Sequence, residues 1–419
     1  MSKFIVAGGT KLSGEIAVEG SKNAVLPILA ATILNGGESV IKNCPRLRDV
    51  EVMIEILKDI GCKASMEGDV ITIDSSSIRE TQIPVELAAE MRSSIIFMGP
   101  MLARCGKVTI SYPGGCEIGP RPIDLHLKAL RSMGAKVQDA QRGFIYCEAE
   151  RLKGCEIQLD YPSVGATENI MLASVFADGE TFIRNAAKEP EIIDLQNYLQ
   201  AVGVEVNGAG TSVIRINGCN RCLRGVEHTI ITDRIVTGTY MMAAGITGSD
   251  LVLNNVIPEH LSSITSILRE SGCRINIKGS RMLVSGPARL RALDIVRTLP
   301  YPGFPTDMQA QLVAMLTVAR GTSIMVETVF ENRYKHVDEL LRMGANIKLE
   351  GRLAVIKGVK KLVGANVCAR DLRGGAALVI AGLAAEGETM ITDIKHIDRG
   401  YERIEEKLRQ AGAQIRRID

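Results

Sequence analysis

The sequence predicts an α/β protein made of six repeated β-α-β-α-β-β units, which divide three and three between two domains. Two observations support this prediction. Six segments share one pattern, in which a glycine turn is followed by a β run, a loop and a helix that ends at a second glycine, and a more apolar helix precedes each turn. The length of 419 residues also agrees with two or three domains, because one core rarely serves more than about 300 residues.

The turn glycines give the repeat length, which is about 70 residues. They are Gly36, Gly106, Gly179, Gly248, Gly321 and Gly387. The helix after each turn ends at a Leu-x-x-x-Gly pair: Leu57/Gly61, Leu130/Gly134, Leu199/Gly203, Leu268/Gly272, Leu340/Gly344 and Leu408/Gly412. A glycine directly after a helix favours a left-handed C-cap. The alternating residues that follow, such as AKVQ and VEVN, are typical of a half-buried strand.

The helix before each turn is apolar around most of its circumference. The six sequences are KNAVLPILAATIL, MRSSIIFMGPMLA, ATENIMLASVFA, DRIVTGTYMMAAGI, TDMQAQLVAMLTVA and RGGAALVIAGLAA. A helix of this kind is buried, whereas the helix after the turn is amphipathic. Each unit is therefore predicted to contain one buried and one amphipathic helix.

The three-and-three division predicts the domain boundaries. We expect one domain over residues 22–230, which carries the glycine-rich loop at 112–122, and a second domain that combines residues 1–21 with 231–419. The β run near Phe4–Ala7 is expected to pair with the C-terminal half, so that the chain closes on itself.

Composition excludes several classes of function. The 50 basic and 48 acidic residues give a net charge of +2 without a long basic run, which argues against nucleic acid. Aromatic residues make up 4% of the chain and tryptophan is absent, so base stacking is disfavoured. Apolar stretches such as SSIIFMGPMLA are too short to span a membrane. The N-terminus lacks a signal-peptide pattern, and ten scattered cysteines fit a reducing compartment, so we expect a cytoplasmic protein.

The buried helices begin with a pattern of polar residues. Fourteen residues before the turn glycines lie Lys22, Arg92, Gly165, Arg234, Asp307 and Arg373. Four of these are cations, which oppose the helix dipole at an N-terminus. A bound anion would reverse that penalty, because the free N–H groups, the dipole and the cation would all favour it. The alternative is a solvated cation at a frayed helix end, but four in register favour an anion-binding cleft.

The stretch YPGGCEIGPRP places Cys116 after Gly114 and Gly115, with Arg121 five residues later. The glycines let this loop move, and a nearby arginine favours the thiolate. A lone cysteine is otherwise a small buried residue, yet this stretch has no apolar periodicity. For the other cysteines on strands and helix ends, the structural role is preferred: Cys44, Cys62, Cys105, Cys147, Cys155, Cys273 and Cys368.

The segment CNRC, Cys219 to Cys222, is followed by His228 and could form half of a zinc site. A structural zinc site needs four ligands, and none of the five histidines pairs with another at ligand spacing, so we predict no metal. Phosphate-binding glycine motifs are also absent. Phosphate must therefore be held by side chains and helix ends, and no cofactor is predicted.

Nine motifs are shared with a known family: GSKNAVLPILAA, EMRSSI, GGCEIGPRPIDLH, SVGATENI, NAAKEPEI, YPGFPTDMQAQ, FENRYKHVDEL, DLRGGAALVIAGL and HIDRGYERIEEKL. From near residue 10 to the end, the chain resembles the UDP-N-acetylglucosamine enolpyruvyl transferases (1-carboxyvinyltransferases). The resemblance implies two inside-out α/β domains of three repeats each, with the active site between them. It also implies transfer of the enolpyruvyl group of phosphoenolpyruvate to the 3′-hydroxyl of UDP-N-acetylglucosamine with release of phosphate, the first committed step of peptidoglycan synthesis.

The resemblance assigns roles residue by residue. Cys116 matches the family's general acid, which can form a covalent adduct with phosphoenolpyruvate and is alkylated by the antibiotic fosfomycin. Asp307 matches the base for the 3′-hydroxyl, although Thr-Asp before a helix is more often an N-cap. Lys22 and Arg399 are also expected to be catalytic.

The resemblance also assigns two binding sites. The residues expected to bind phosphoenolpyruvate are Lys22, Asn23, Arg121, Arg373 and Arg399. Those expected to bind UDP-N-acetylglucosamine are Asn23, Arg92, Arg121, Pro122, Ile123, Asp124, Leu125, Ser163, Val164, Gly165, Asp307 and Val329, the last through its backbone. Arg48 occupies a position where the family also has a cation, and Asp49 is a candidate to hold it.

Three other functions were considered. The shikimate-pathway enolpyruvyl transferase has Ser-Lys-Ser where this chain has Ser-Lys-Asn at Asn23, and it lacks the loop with Cys116. A non-catalytic sugar-nucleotide-binding paralogue would have lost Cys116, Asp307 or the arginines, and all are present. RNA-end-processing enzymes with related repeats need a nucleotidylated histidine and a nucleic-acid surface, which the charge balance disfavours.

Overall fold

The computed structural model describes residues 2–112, 114, 123–141, 143–220 and 223–418. Within these residues the predicted fold class is confirmed, because the chain forms six small β-sheets and a set of buried helices.

The strands in chain order are β1 (Lys3–Ala7), β2 (Glu15–Ala17), β3 (Glu38–Lys42), β4 (Lys63–Glu67), β5 (Val70–Asp74), β6 (Lys107–Ser111), β7 (Lys136–Gln141), β8 (Phe144–Glu148), β9 (Glu156–Gln158), β10 (Glu180–Arg184), β11 (Glu205–Asn207), β12 (Val213–Asn217), β13 (Glu227–Thr229), β14 (Asp250–Asn254), β15 (Arg274–Lys278), β16 (Arg281–Ser285), β17 (Ile295–Arg297), β18 (Thr322–Val326), β19 (Asn346–Glu350), β20 (Leu353–Lys357), β21 (Asn366–Cys368), β22 (Glu388–Thr392) and β23 (Gln414–Ile418).

The α-helices are α1 (Lys22–Ala31), α2 (Arg48–Asp59), α3 (Val85–Glu90), α4 (Met98–Cys105), α5 (Asp124–Ser132), α6 (Val164–Ala173), α7 (Pro190–Val202), α8 (Arg234–Thr247), α9 (Ser262–Glu270), α10 (Gln309–Leu316), α11 (Val337–Arg342), α12 (Leu372–Ala384) and α13 (Ile404–Gln410). Short 3-10 helices cover Thr32–Asn35, Arg92–Phe97, Ser174–Phe176, Pro258–Leu261, Thr306–Met308 and Ile394–His396.

Each repeat contributes one sheet with the same order. The strand after the turn glycine has two neighbours in the sheet. One is a short parallel strand at one edge. The other is an antiparallel strand, which also pairs with the strand at the opposite edge. The orders are β13-β3-β5-β4, β6-β8-β7, β11-β12-β10-β9, β15-β16-β14-β2, β17-β18-β20-β19 and β21-β22-β1-β23. In the three-stranded sheet a single parallel bridge, Gln82 with Thr109, takes the place of the short strand.

The described residues fall into two compact units, one within 20–231 and one within 2–19 and 232–418. In the first, β13 follows the third repeat and pairs with β3 of the first repeat. In the second, β2 pairs with β14, and β1 lies between β22 and β23. The predicted pairing of the N-terminal strand with the C-terminal half is thus confirmed. The domain boundaries themselves, 22–230 for one domain and 1–21 with 231–419 for the other, stay a prediction.

The apolar helices form the interior of each unit, as their sequences predict. All thirteen residues from Arg234 to Ile246 in α8 are buried, and α8, α10 and α12 pack on one another. In the other unit α4 packs on α6 so closely that a Cβ on Gly99 would lie 2.4 Å from the carbonyl oxygen of Asn169. A helix that is surrounded by other elements must be apolar on every side.

The glycines predicted to end the amphipathic helices do adopt left-handed conformations. Their φ angles are 106° at Gly61, 92° at Gly134, 112° at Gly203, 102° at Gly272, 85° at Gly344 and 90° at Gly412. Since this region favours glycine, each repeat has a defined point at which the helix stops and the edge strand begins. None of the described helices is long and apolar enough to cross a membrane.

Candidate active site

All six polar positions predicted from the repeat lie at the starts of buried helical segments. Lys22 and Arg234 are the first residues of α1 and α8, Gly165 and Arg373 are the second residues of α6 and α12, and Arg92 and Asp307 lie in the 3-10 helices that run into α4 and α10.

Two of these starts already carry a negative charge. Asp233 Oδ1 accepts hydrogen bonds from the first amides of α8, and Asp371 Oδ1 accepts from the amides of Arg373 and Gly374 in α12. The prediction of an anion-binding cleft rested partly on the cations Arg234 and Arg373. At these two helices a capping carboxylate supplies the anion instead, which weakens that argument.

The start of α1 differs, because it has no side-chain cap. Within the described residues the buried Ser21 Oγ has no hydrogen-bond partner. The first turn of α1 contains Lys22 and Asn23, two predicted ligands of phosphoenolpyruvate. The start of α1 thus has two features expected of an anion site, an uncapped helix end and a cation, and the start at Arg92 shares them.

In the unit within 2–19 and 232–418, a cluster of charged side chains surrounds Asp307. Its Oδ1 accepts a hydrogen bond from Arg333 Nη2 at 2.6 Å, and its Oδ2 accepts one from Arg373 Nη2 at 3.1 Å. The two arginine side chains are 4% exposed, whereas the Asp307 side chain is 27% exposed. The two buried guanidinium groups thus fix the orientation of this carboxylate, and part of its side chain stays exposed.

Arg333 was not among the predicted site residues. It lies inside the motif FENRYKHVDEL, but its partner Asp307 is 26 residues earlier in the chain. Its guanidinium also lies 5.2 Å from the centre of the Phe330 ring. The sequence signal that could have found Arg333 is its position inside a family motif, but a motif by itself does not distinguish a buried arginine from one at the surface.

Arg373 is fixed from its other side by Tyr401. The guanidinium lies 5.4 Å from the centre of the Tyr401 ring, and the Tyr401 hydroxyl bonds Thr239 Oγ1 at 2.9 Å and Gln311 Nε2 at 3.1 Å. Burial acts to lower the pKa of Arg373, but Tyr401 and Asp307 outweigh it and raise the pKa overall. Arg399 lies in the turn two residues before Tyr401, close in sequence to this cluster.

In the other unit, Lys22 Nζ lies 3.2 Å from Asp49 Oδ2, and both side chains are largely buried. The prediction that Asp49 holds Arg48 is wrong. Arg48 is bonded to Glu55 at 2.8 Å and to Glu90 at 3.0 Å, because it begins α2 on the side that faces α3. Asp49, one residue later on the helix, points to α1 and bonds Lys22 instead.

The same unit brings together two segments predicted to bind the nucleotide. Ile123 to Leu125 lead into α5, and Ser163 to Gly165 lead into α6, where Ser163 Oγ accepts from the amide of Ala166 at 3.4 Å. A Cβ on Gly165 would lie 3.4 Å from the ring of His126 in the first turn of α5. The two helix starts are therefore in contact.

His126 joins these helices to the segment that begins with Arg92. Asn169 Nδ2 donates to His126 Nδ1 at 3.0 Å and to the carbonyl of Ile95 at 2.9 Å. Because the amide nitrogen can only donate, Nδ1 is the acceptor and the ring proton is on Nε2. Burial, with a smaller effect of Arg92, lowers the pKa of His126 to about 4. The ring is neutral and supports the site without carrying charge.

Several predicted residues lie outside the described residues: Cys116, Arg121 and Pro122, and also Cys222 of the CNRC segment. The other cysteines named above behave as structural residues. Burial raises the pKa of Cys44 and of Cys62 to about 12, and it also raises the pKa of Cys105, Cys155, Cys273 and Cys368. A thiol with a raised pKa is a poor nucleophile at neutral pH. Across the ranges given above, no three His, Cys, Asp or Glu side chains form a cluster suited to a metal.

Residues 6–408 match the protein family described as EPSP synthase (3-phosphoshikimate 1-carboxyvinyltransferase). Among individual proteins, the chain is 54% identical over 418 residues to UDP-N-acetylglucosamine 1-carboxyvinyltransferase 2 of Caldanaerobacter subterraneus subsp. tengcongensis, covering 100% of both chains. It is also 54% identical over 419 residues to UDP-N-acetylglucosamine 1-carboxyvinyltransferase 1 of Carboxydothermus hydrogenoformans, covering 100% of this chain and 99% of the relative.

Solved structures show the same fold at lower identity. The enolpyruvyl transferase NikO from Streptomyces tendae superposes with a TM-score of 0.91 at 24% identity, over 99% of this chain and 98% of that one. EPSP synthase from Acinetobacter baumannii superposes with a TM-score of 0.78 at 20% identity, over 100% of both chains. These likenesses establish the architecture of two three-repeat α/β domains.

Proposed function

Because the chain belongs to the UDP-N-acetylglucosamine 1-carboxyvinyltransferases, within the wider EPSP synthase family, we propose that it moves the enolpyruvyl group of phosphoenolpyruvate to the 3′-hydroxyl of UDP-N-acetylglucosamine and releases phosphate. Its substrates are small molecules. The reaction is the first committed step of peptidoglycan synthesis, and it uses no cofactor.

The reaction is an addition followed by an elimination. In the addition, the 3′-oxygen forms a bond to C2 of phosphoenolpyruvate, the hydroxyl loses its proton, and the methylene carbon gains one. In the elimination, the new methyl group loses a proton, the double bond forms again and the C2–O bond to phosphate breaks. The protein must supply a base, an acid and several cations for an anionic substrate.

The observation that supports this proposal best is the position of Asp307. Its carboxylate lies at the start of α10, bonded to Arg333 and Arg373 and 27% exposed. An exposed carboxylate oxygen can accept a hydrogen bond from the 3′-hydroxyl and then take its proton as C2 is attacked. The two arginines fix its orientation, which is what a base needs for efficient proton transfer.

The cations serve the phosphate and carboxylate of phosphoenolpyruvate. Arg373 and Arg399, with Lys22 and Arg121, are the proposed ligands, and the position of Arg333 beside Arg373 adds it to this set. Arginine suits planar, bidentate contacts, whereas lysine acts as a point charge. Arg373 stays protonated at neutral pH, since its pKa is raised.

The remaining roles follow the family resemblance. Cys116 is the proposed acid, able to form a covalent adduct, and we expect the enzyme to be sensitive to fosfomycin. The proposed sugar-nucleotide ligands are Asn23, Arg92, residues 121–125, residues 163–165 and Val329. The contact between the starts of α5 and α6 supports a shared nucleotide site there. The ten cysteines are scattered along the sequence without a disulfide pattern, which supports a cytoplasmic location.

The test is phosphate release from phosphoenolpyruvate, measured with and without UDP-N-acetylglucosamine, for the native protein and Cys116→Ala. Release that depends on the sugar nucleotide and is lost in Cys116→Ala is the expected result. Release that depends on shikimate-3-phosphate would contradict it and assign the protein to the shikimate pathway. Binding of the sugar nucleotide without release would indicate a non-catalytic paralogue.

A further inference from the structure

Glu327 directly follows β18 and is fully buried, with 0% of its surface exposed. Its Oε1 accepts hydrogen bonds from the Thr298 hydroxyl at 3.0 Å, the Val329 amide at 2.8 Å and the Phe330 amide at 3.0 Å. Its Oε2 accepts from the Thr306 hydroxyl at 2.9 Å. Four donors thus converge on one carboxylate, and within the described residues no cation is recorded as an ion-pair partner.

These bonds fix the loop after β18. Thr298 Oγ1 donates to Glu327 and also accepts from the amide of Thr328 at 2.8 Å, so three consecutive loop amides are satisfied by this pair of side chains. The amide of Val329 is therefore turned inward. The backbone atom that Val329 can offer to a ligand is its carbonyl oxygen, an acceptor.

The same carboxylate is connected to Asp307 by two routes. On one side, Thr306 donates to Glu327 and directly precedes Asp307 in the chain. On the other side, the ring of Phe330 contacts Arg333, which donates to Asp307. Glu327 thus closes a ring of contacts that contains the proposed base and the proposed sugar-nucleotide contact.

A comparison of the repeats shows that Glu327 departs from a pattern. After β3, β10 and β14 the corresponding residue is an asparagine with φ between 55° and 60°, and after β22 it is an aspartate with φ 55°. Asn43, Asn185 and Asn255 each donate to the carbonyl that follows the short parallel strand, at 2.9, 2.9 and 3.0 Å. Asparagine suits this left-handed, locally bonded turn. Glu327 is outside that conformation, and its carboxylate instead accepts hydrogen bonds from Thr298 and from the amides of its own loop.

We propose that Glu327 is a positioning residue for the reaction: it sets Asp307 and the Val329 carbonyl at a fixed separation, so that the 3′-hydroxyl and the sugar of the nucleotide are held together. This inference rests on the proposed function. It also makes Val329 a selector for a donor on the sugar nucleotide, because the carbonyl can only accept.

The experiment compares three variants by kcat for phosphate release, by calorimetric Kd for UDP-N-acetylglucosamine and by melting temperature. In Glu327→Leu all four bonds are lost. We expect kcat to fall about 100-fold, because displacement of a catalytic group by about 1 Å has that effect, and Kd to rise about tenfold, as for the loss of one good hydrogen bond.

Glu327→Gln is the conservative rescue. Its amide oxygen can accept from Thr298 and the two loop amides, while its amide nitrogen donates to Thr306, whose hydroxyl then accepts. We expect kcat and Kd within about threefold of the native values, because the geometry is kept. Loss as large as in Glu327→Leu would overturn the positioning role and indicate that the negative charge itself is needed.

Thr306→Val tests the positioning role even if Glu327→Leu fails to fold. It removes only the bond next to Asp307, so we expect kcat to fall about tenfold while Kd stays within about twofold, since the loop amides remain bound. The matched control is Ser323→Ala on the same strand, whose buried hydroxyl accepts from the amide of Leu293 at 2.8 Å. It should lower the melting temperature and leave kcat and Kd unchanged.

The outcomes separate the two claims. If the native protein releases no phosphate with UDP-N-acetylglucosamine, the proposed function fails, and this inference fails with it. If the native protein is active but Glu327→Leu or Thr306→Val changes only the melting temperature, as Ser323→Ala does, the proposed function stands and the inference is overturned.

Discussion

The two units arrange charge differently at the starts of their buried helices. Around α10, one carboxylate, Asp307, lies between two buried arginines, so the cluster has a formal surplus of one positive charge. Around α1, Lys22 forms an ion pair with Asp49, so these two side chains together have no formal net charge. The first arrangement can hold a base and attract an anion together. In the second arrangement, an anionic substrate must compete with Asp49 for Lys22.

The largest effect is expected from a substitution of Asp307, the carboxylate of the first arrangement. Asp307→Asn keeps the size and one acceptor but removes the base, so we expect kcat to fall about 10²- to 10⁴-fold, the usual contribution of general acid–base catalysis. Asp49→Asn, the matched change in the other unit, should lower kcat by about tenfold at most, because it perturbs one hydrogen bond to Lys22. Equal losses in the two variants would show that the two clusters are not distinct. Both are measured as phosphate release.

Each unit also contains one buried histidine, so the two units can be compared through the pH dependence of their folding stability. Burial lowers the pKa of His126 and of His336 to about 4, from an ordinary value near 6.5. In the unfolded chain each ring takes up a proton as the pH falls through about 6.5, while the folded ring does not, so folding stability is lost between about pH 6.5 and 4. The loss is about 3 kcal/mol for each ring.

The charged neighbours of the two rings differ. Arg92 acts on His126, whereas Asp371 and Arg333 act on His336 with opposite signs. We expect His126→Gln to reduce the pH dependence only in the unit within 20–231, and His336→Gln only in the other. Hydrogen exchange of strand amides at pH 7 and pH 5 measures each unit separately. Loss of pH dependence in both units from one variant would contradict this separation.

A smaller effect is expected from a substitution of Arg333, one of the two arginines bonded to Asp307. Arg333→Lys keeps the charge but loses the planar fork that reaches Asp307 and stacks on Phe330, so we expect kcat/KM for phosphoenolpyruvate to fall about tenfold. The measurement is a series of initial rates at saturating UDP-N-acetylglucosamine. An unchanged value would mean that Arg333 acts on Asp307 through charge alone.

The smallest effect is expected at an exposed ion pair. Lys361 Nζ lies 2.5 Å from Glu386, with the two side chains 61% and 58% exposed. Lys361→Ala should change the free energy of unfolding by less than about 1 kcal/mol, because solvent screens such a pair. Urea denaturation measures this free energy. A loss larger than about 1 kcal/mol would show that the short distance between Lys361 and Glu386 outweighs their exposure to solvent.

The fold could be predicted from the sequence because its signals are local. A turn glycine, an apolar helix and a terminal glycine recur within each repeat, so the helix starts at Lys22 and Asp307 could be located to within a residue. The pairing of side chains could not be predicted in the same way. The bonds of Asp307 to Arg333 and of Lys22 to Asp49 join residues 26 and 27 positions apart, and they depend on how helices pack. The caps Asp233 and Asp371 could have been found, since each stands directly before its helix.

The position of β1 has a consequence for synthesis of the chain. This strand lies in the middle of its sheet, between β22 and β23, so its partners are residues 388–392 and 414–418. On the ribosome β1 has neither of these partner strands until residues 388–418 have been translated. The unit within 20–231 has all of its strands much earlier, since β13 completes its first sheet. The unit within 20–231 can thus form before the other unit, and β1 can pair only after the later strands have been made.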